Sequence, residues 1–204
     1  MRKDFNIFVE GTADARFFKQ YIHHLFGEEV GDEHIVPLKG WDNLKTEASV
    51  LRMRSMSANE GINLVFIDAD KDFQKRKDEI EKWKQSNGVE FELFLLPNNK
   101  DVGALEDMLE KIINPNNQPI MDCWQTYEGK LEKVRIPNKI PPTLTIPAKK
   151  TKIYAYLETL LGESRSQKEL IRDAKRNYEN TQHWDLDAEY LKPLKEFLVK
   201  ILSD

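Results

Sequence analysis

Short apolar runs alternate with amphipathic stretches through the first half of the chain, and the pattern changes after Ile113. "FNIFVE" (5–10) is a compact run of strand formers closed by an acid and Gly11. "TADARFFKQYIHHLF" follows with Phe17, Phe18, Tyr21, Ile22 and Leu25 at helical spacing. Thr12 is the expected N-cap, and Asp14 sits where negative charge suits the helix dipole. "HIVPLKG" (34–40) reads as a second strand ending at Gly40. The next stretch, from Asp42 as cap, carries a stripe of Leu44, Ala48, Leu51 and Met56.

"INLVFI" is the third strand. A charged segment beginning at Asp72 follows it, reaching the core through Phe73, Ile80 and Trp83. "VEFELFLLP" and "VGALEDMLEKII" supply a fourth strand and helix. Four strand-then-helix repeats predict an α/β fold, a doubly wound, mainly parallel four-stranded sheet flanked by helices.

Six of the nine prolines fall between Pro115 and Pro147. The segment 114–148 is expected to be irregular, connecting an α/β core (1–113) to a C-terminal helical extension within 114–204 that packs on it. "IYAYLETLLG" and "SQKELIRDAKRNYEN" read as helical. Leu191, Leu194, Phe197, Leu198 and Ile201 form one stripe, with Pro193 in the first turn of the last helix. His183-Trp184 is expected to anchor the C-terminal segment.

Composition narrows the function classes. The net charge of −4 offers no global field for polyanions, so nucleic acid would be held by local basic patches or a bound metal. A single cysteine, Cys123, excludes an internal disulfide and a cysteine-cluster zinc site. No stretch has the length of a membrane span, and the basic start carries too short an apolar run for a signal peptide. A cytoplasmic protein is expected.

The chemistry concentrates in "LVFIDADKDF". Ligands of open parallel sheets bind beyond the carboxyl ends of the strands, where strand order reverses. Two strands deliver acids there: Glu10 after the first, and Asp68 with Asp70 after the third. Gly11 lets the backbone turn behind Glu10. Alternation along an extended chain places Asp68 and Asp70 on the same side, with Asp72 as a helix cap or a further ligand. Converging carboxylates suit a hard divalent ion, Mg²⁺ or Mn²⁺. Such an ion would offset their repulsion and let the surface hold a phosphodiester. Lys39 and Lys71 flank the site as phosphate contacts.

Other readings of these acids are a solvated loop, a calcium loop and an aspartyl-nucleophile phosphatase. Asp68, Asp70, Asp72 and Glu79 have EF-hand spacing, but Phe73 stands where that loop needs glycine. The phosphatase motif has Thr or Val two positions after its second Asp, where this chain has Asp72.

Together, "VEGTADARFF", Gly40 in "LKGWDNL" and "VFIDADKD" resemble the Toprim domain of primases, topoisomerases and overcoming-lysogenization-defect nucleases, over about residues 4 to 113. "LPNNKDVGALEDML" and "HWDLDAEYLKPLKEFL" resemble more closely a family of small stand-alone Toprim-like proteins of unknown function in bacteria and archaea. The resemblance implies Glu10 as general acid/base or metal ligand, and Asp68 and Asp70 as Mg²⁺ ligands. Asp14 matches the acid after Glu-Gly, and Glu106 or Asp107 would complete a second ion site. It implies a phosphodiester hydrolase acting on DNA or RNA, or a non-catalytic metal- or nucleotide-binding module that partners another protein in regulation or defence. The chain lacks the G-x-x-x-x-G-K-[ST] loop of an attached ATPase and the extra domains of topoisomerases and primases.

Overall fold

The computed structural model describes residues 4–203. Its strands are β1 (Phe5–Val9), β2 (Ile35–Pro37), β3 (Ile62–Asp68) and β4 (Glu92–Leu96). They form one parallel sheet in the order β2-β1-β3-β4. The chain moves from β1 outward to β2, then returns to lay β3 on the other side of β1. Strand order therefore reverses between β1 and β3, the place where such sheets open a crevice.

Both sheet faces are covered, as the apolar strands require. Ile7, Val9, Leu64, Phe66, Phe94 and Leu96 point into the larger core. Phe8, Val65, Ile67 and Leu95 alternate into the smaller one. Helices α1 (Thr12–Phe26) and α4 (Leu105–Lys111) cover the first face. Helices α2 (Glu47–Ala58) and α3 (Phe73–Asn87) cover the second. Phe73, Ile80 and Trp83 make the core contacts expected of α3.

Several local expectations are corrected. Gly11, not Thr12, is the N-cap of α1. Asp42 lies in a short 3-10 turn, Trp41–Lys45, and the hydroxyl of Thr46 caps α2 by accepting from the Ser49 amide. The buried face of α2 also differs from the expected stripe. Met53 and Ser49 are buried, whereas Leu51 is 56% exposed. The segment read as irregular contains α5 (Gln118–Leu131), with Pro119 in its first turn, where a missing amide costs nothing. After α6 (Lys149–Leu161), the stretch expected to be helical forms only α7 (Arg165–Glu169) and then a 3-10 turn, Asp173–Lys175.

The C-terminal residues enter the larger core directly. Ile153, Tyr156, Trp184, Leu194 and Leu198 belong to the same buried cluster as Ile7 and Phe66. Trp184 is 1% exposed, and the carbonyl of its neighbour His183 accepts from the Tyr156 hydroxyl and the Asn114 amide. Pro193 occupies the first turn of α8 (Lys192–Leu202), as expected. Gln20 ties α1 to the C-terminal segment. Its Nε2 donates to the Arg176 carbonyl, and its Oε1 accepts from the Tyr178 amide.

One polar pair lies inside the sheet. Asn6 and Asn63 face each other across β1 and β3, and Asn6 Nδ2 donates to Asn63 Oδ1 at 3.2 Å. Asn63 Nδ2 donates to the carbonyls of Met53 and Glu90, joining α2 and the approach to β4 to the central strand. Buried polar groups hold their place only when satisfied. The substitution Asn63→Leu is expected to destabilise the fold by about 2–4 kcal/mol in urea denaturation, because it leaves an amide and two carbonyls without partners.

Candidate functional site

The crevice between β1 and β3 is where the sequence-predicted acids arrive. Glu10 leaves the end of β1. Its carboxylate Oε2 accepts from the Asp68 amide at 3.2 Å, and the Trp41 amide dipole also favours its charge. One side chain thus links the ends of the two central strands. The carbonyl of Glu10 accepts from the Gly40 amide at 3.1 Å. Gly40 has φ 111° and ψ 142°, a region open only to glycine, so this close turn depends on the missing Cβ. Gly11 has a different role from the one expected. Its φ of −141° is ordinary extended backbone, but a Cβ there would lie 3.1 Å from Asp14 Oδ2. Glycine makes room for that carboxylate, which accepts from the Gly11 amide at 3.0 Å.

Asp68, at the end of β3, accepts from the Leu105 amide at 3.1 Å through Oδ1, which docks the start of α4 against the crevice. Glu106 follows on the same turn. Asp107 repeats the Asp14 arrangement, accepting from the Ala104 amide at 2.9 Å, and forms an ion pair with Lys149.

Electrostatics show how crowded these acids are. Burial, followed by the charges of Asp14, Glu10 and Glu106, pushes the Asp68 carboxyl up to about 9, against the pull of the Leu105 amide. Burial also pushes Asp14 up to about 7. Its own amide and that of Gly11 pull down, while Glu10 and Glu106 push up. Glu10 is raised by burial, then lowered by the Asp68 amide, raised by the Asp70 charge, and lowered by the Arg76 guanidinium and the Trp41 amide. The second oxygen of Asp14 is buried with no hydrogen-bond partner.

Asp70 does not join this group as the alternation rule predicts. The strand ends at Asp68, and Asp70 takes a left-handed conformation, φ 55°, with its amide donating to the Gly103 carbonyl at 2.9 Å. Its carboxylate is ion-paired with Arg76. Asp72 caps α3, accepting from the Lys75 amide at 3.0 Å. Asp70, Lys71, Asp72, Lys75, Arg76 and Glu79 line an open cleft of about 520 Å³ beside the crevice. The Arg76 guanidinium also lies 4.7 Å from the Trp41 ring centroid, with the Lys45 ammonium 3.4 Å from it. Lys39 and Lys71 are exposed, and Lys39 sits at φ 62° just before Gly40.

Among the described residues, no three His, Cys, Asp or Glu side chains converge as a metal-ligating group. Glu10, Asp14, Asp68 and Glu106 share one electrostatic neighbourhood, while Asp70 stands at its edge under Arg76. By chemistry the donor set fits a hard cation. It consists of oxygens alone, several are held in a poorly solvated crevice, and one buried oxygen lacks a partner. The Arg76–Asp70 and Lys149–Asp107 pairs were not visible in the sequence. Neither has helical spacing, and 42 positions separate the second pair.

A family model described as "Protein of unknown function (DUF3226)" matches residues 4–203. The chain belongs to the DUF3226 family. Comparison of this DUF3226 chain with curated proteins and with solved structures returned no match in either. No helix among the described residues is long and apolar enough to cross a membrane.

Raised carboxyls make the stability of this DUF3226 fold depend on pH. Asp14 and Asp68 bind protons more tightly folded than unfolded. Their contribution is complete below the ordinary value of 3.8 and fades as pH rises through about 7 and about 9. Asp14→Asn keeps an acceptor for the Gly11 amide but has no charge to bury. In chelator at pH 8 it is expected to be more stable than the parent by about 2 kcal/mol, with the difference vanishing near pH 4. Urea titrations across pH measure this directly.

Proposed function

We propose that the crevice is a Mg²⁺- or Mn²⁺-binding site of a Toprim-like phosphodiester hydrolase acting on nucleic acid. One observation carries this reading: Glu10, Asp14 and Asp68 crowd at the switch point of a parallel sheet, and one buried oxygen of Asp14 has no partner. Burying like charges is costly, so such a cluster either retains protons or takes a cation. The order of acids along the chain, Glu-Gly then Asp-x-Asp, supports the Toprim resemblance.

Glu10 and Asp68 would hold the ion, with Asp14 and Glu106 adding to the negative field, while Asp70, expected as a further ligand, is held at the edge by its ion pair with Arg76. When bound, Mg²⁺ supplies a Lewis acid that polarises a phosphoryl oxygen and lowers the pKa of water. The chain supplies the rest. Glu10, whose carboxyl burial raises above its ordinary value, is placed to take and return a proton. The hydrogen bond it accepts from the Asp68 amide fixes its position between strand ends. Lys39 and Lys71 are exposed on the turns beside the acids, where they can meet phosphate oxygens.

The Arg76–Asp70 ion pair favours a second reading, a module that binds metal or nucleotide without cutting, as partner to another protein. A protein cation there already offsets one of the acids.

Thermal denaturation with Mg²⁺ or Mn²⁺, together with nicking of supercoiled DNA, separates these readings. The hydrolase reading expects a higher Tm with either ion and metal-dependent nicking that falls at least a hundredfold in Asp68→Asn, as expected for losing a group that acts in the transition state. Stabilisation without nicking selects the binding module. No response of Tm to either ion overturns the hydrolase reading and the metal-binding form of the module.

A further inference from the structure

The segment from Lys133 to Lys150 carries five basic residues and no acid, within a chain of net charge −4. All five basic side chains are exposed. Part of the segment is a shaped hairpin. Arg135 bridges Thr143 in antiparallel fashion, and the Ile136 amide donates to the Pro142 carbonyl at 2.9 Å. Pro137 and Asn138 form its turn, with Asn138 at φ 64° and the Lys139 amide closing back on the Ile136 carbonyl. Lys139 Nζ donates to the carbonyls of Pro141 and Thr143, and Arg135 to those of Glu132 and Val134. Carbonyl oxygens steady Arg135 and Lys139 without neutralising them, whereas Lys149 and Lys150 are ion-paired with Asp107 and Asp173.

The apolar residues of the hairpin are equally unusual. Ile140, next to the turn, is 96% exposed, and Ile136 is 42% exposed. A basic ribbon with a projecting aliphatic side chain matches the chemistry of a minor-groove arm, in which cations hold the phosphates and an apolar wedge enters a base step. Recognition of single strands uses aromatic stacking platforms, and the segment from Lys133 to Lys150 has no aromatic residue. The chain that follows the hairpin leads back toward the crevice. Lys149, the first residue of α6, is ion-paired with Asp107, in the same first turn of α4 as the Leu105 amide that binds Asp68.

We infer that the hairpin 134–143 is a DNA-binding arm that grips the phosphates of duplex DNA and inserts Ile140 into its minor groove, presenting the duplex to the acidic crevice. The inference deepens the hydrolase reading and rests on it for the class of substrate. Binding is therefore measured without any metal, so that a failure to cleave and a failure to bind remain separate results.

A short fluorescent duplex DNA is titrated with the full chain in EDTA at several salt concentrations, with matched single-stranded DNA and duplex RNA as comparisons. End-to-end energy transfer reports bending. The parent is expected to bind duplex DNA most tightly and to bend it. Lys133→Ala/Arg135→Ala should weaken binding and reduce the salt slope by about 2, one for each phosphate that the variant no longer neutralises. Ile140→Ala should keep the salt slope and lose the bend. Circular dichroism melts confirm that both variants fold. The inference is overturned if the parent does not bind duplex DNA, or if single strands or duplex RNA bind as well. Unchanged affinity and salt slope in the double variant, or an unchanged bend in Ile140→Ala, also overturn it.

Discussion

The hydrogen bond from the Asp68 amide to the Glu10 carboxylate ties together the ends of the two central strands, and the crevice is built around it. It exists because β1 and β3 pair in parallel, with Val9 opposite Phe66, so that the residues following each strand emerge side by side. Parallel pairing also brings both acids to the same sheet edge, whereas an antiparallel pair would send them to opposite edges. The cost is that several carboxylates share a poorly solvated space. Backbone amides offset part of that cost at Glu10, Asp14 and Asp68, but no lysine or arginine is ion-paired with any of the three among the described residues.

The same device occurs at two helix starts. In α1 and in α4, an aspartate in the first turn accepts from the amide of the capping residue, Gly11 in one case and Ala104 in the other. Both caps are extended, with φ near −140°. The two helices therefore enter the crevice in the same way, from neighbouring positions along the sheet edge. Their other first-turn partners differ. Asp107 is paired with Lys149, whereas Asp14 keeps a buried oxygen unpartnered. This asymmetry places the unbalanced charge beside β1 and leaves the α4 side connected to the C-terminal half.

That half is part of how the crevice is supported. Trp184, Tyr156 and Leu198 pack into the core that lies beneath β1 and β3. Gln20 fastens α1 to the main chain around Arg176 and Tyr178. The stretch between α5 and α6 is mostly exposed and carries positive charge.

Hydrophobic periodicity made the four strands, the order of strands and helices, and the two covered faces legible, because burial on both sides of a sheet leaves continuous apolar runs. It also made Glu10, Asp68 and Asp14 legible as candidates, since strand ends and helix starts fix where such residues lie. It could not locate the origin of α2, because Thr46 competes with Asp42 for the capping role and a 3-10 turn carries no periodic signal. It missed α5 because proline was read as a breaker, although Pro119 sits where a helix tolerates it. The direction of Asp70 was a tertiary decision. Its amide meets the Gly103 carbonyl and its carboxylate meets Arg76, and those partners override the alternation of an extended chain. The sequence by itself determined which acids reach the sheet edge. Folding alone decided which of them share a charge, which find a cation in the chain, and which are left to find one elsewhere.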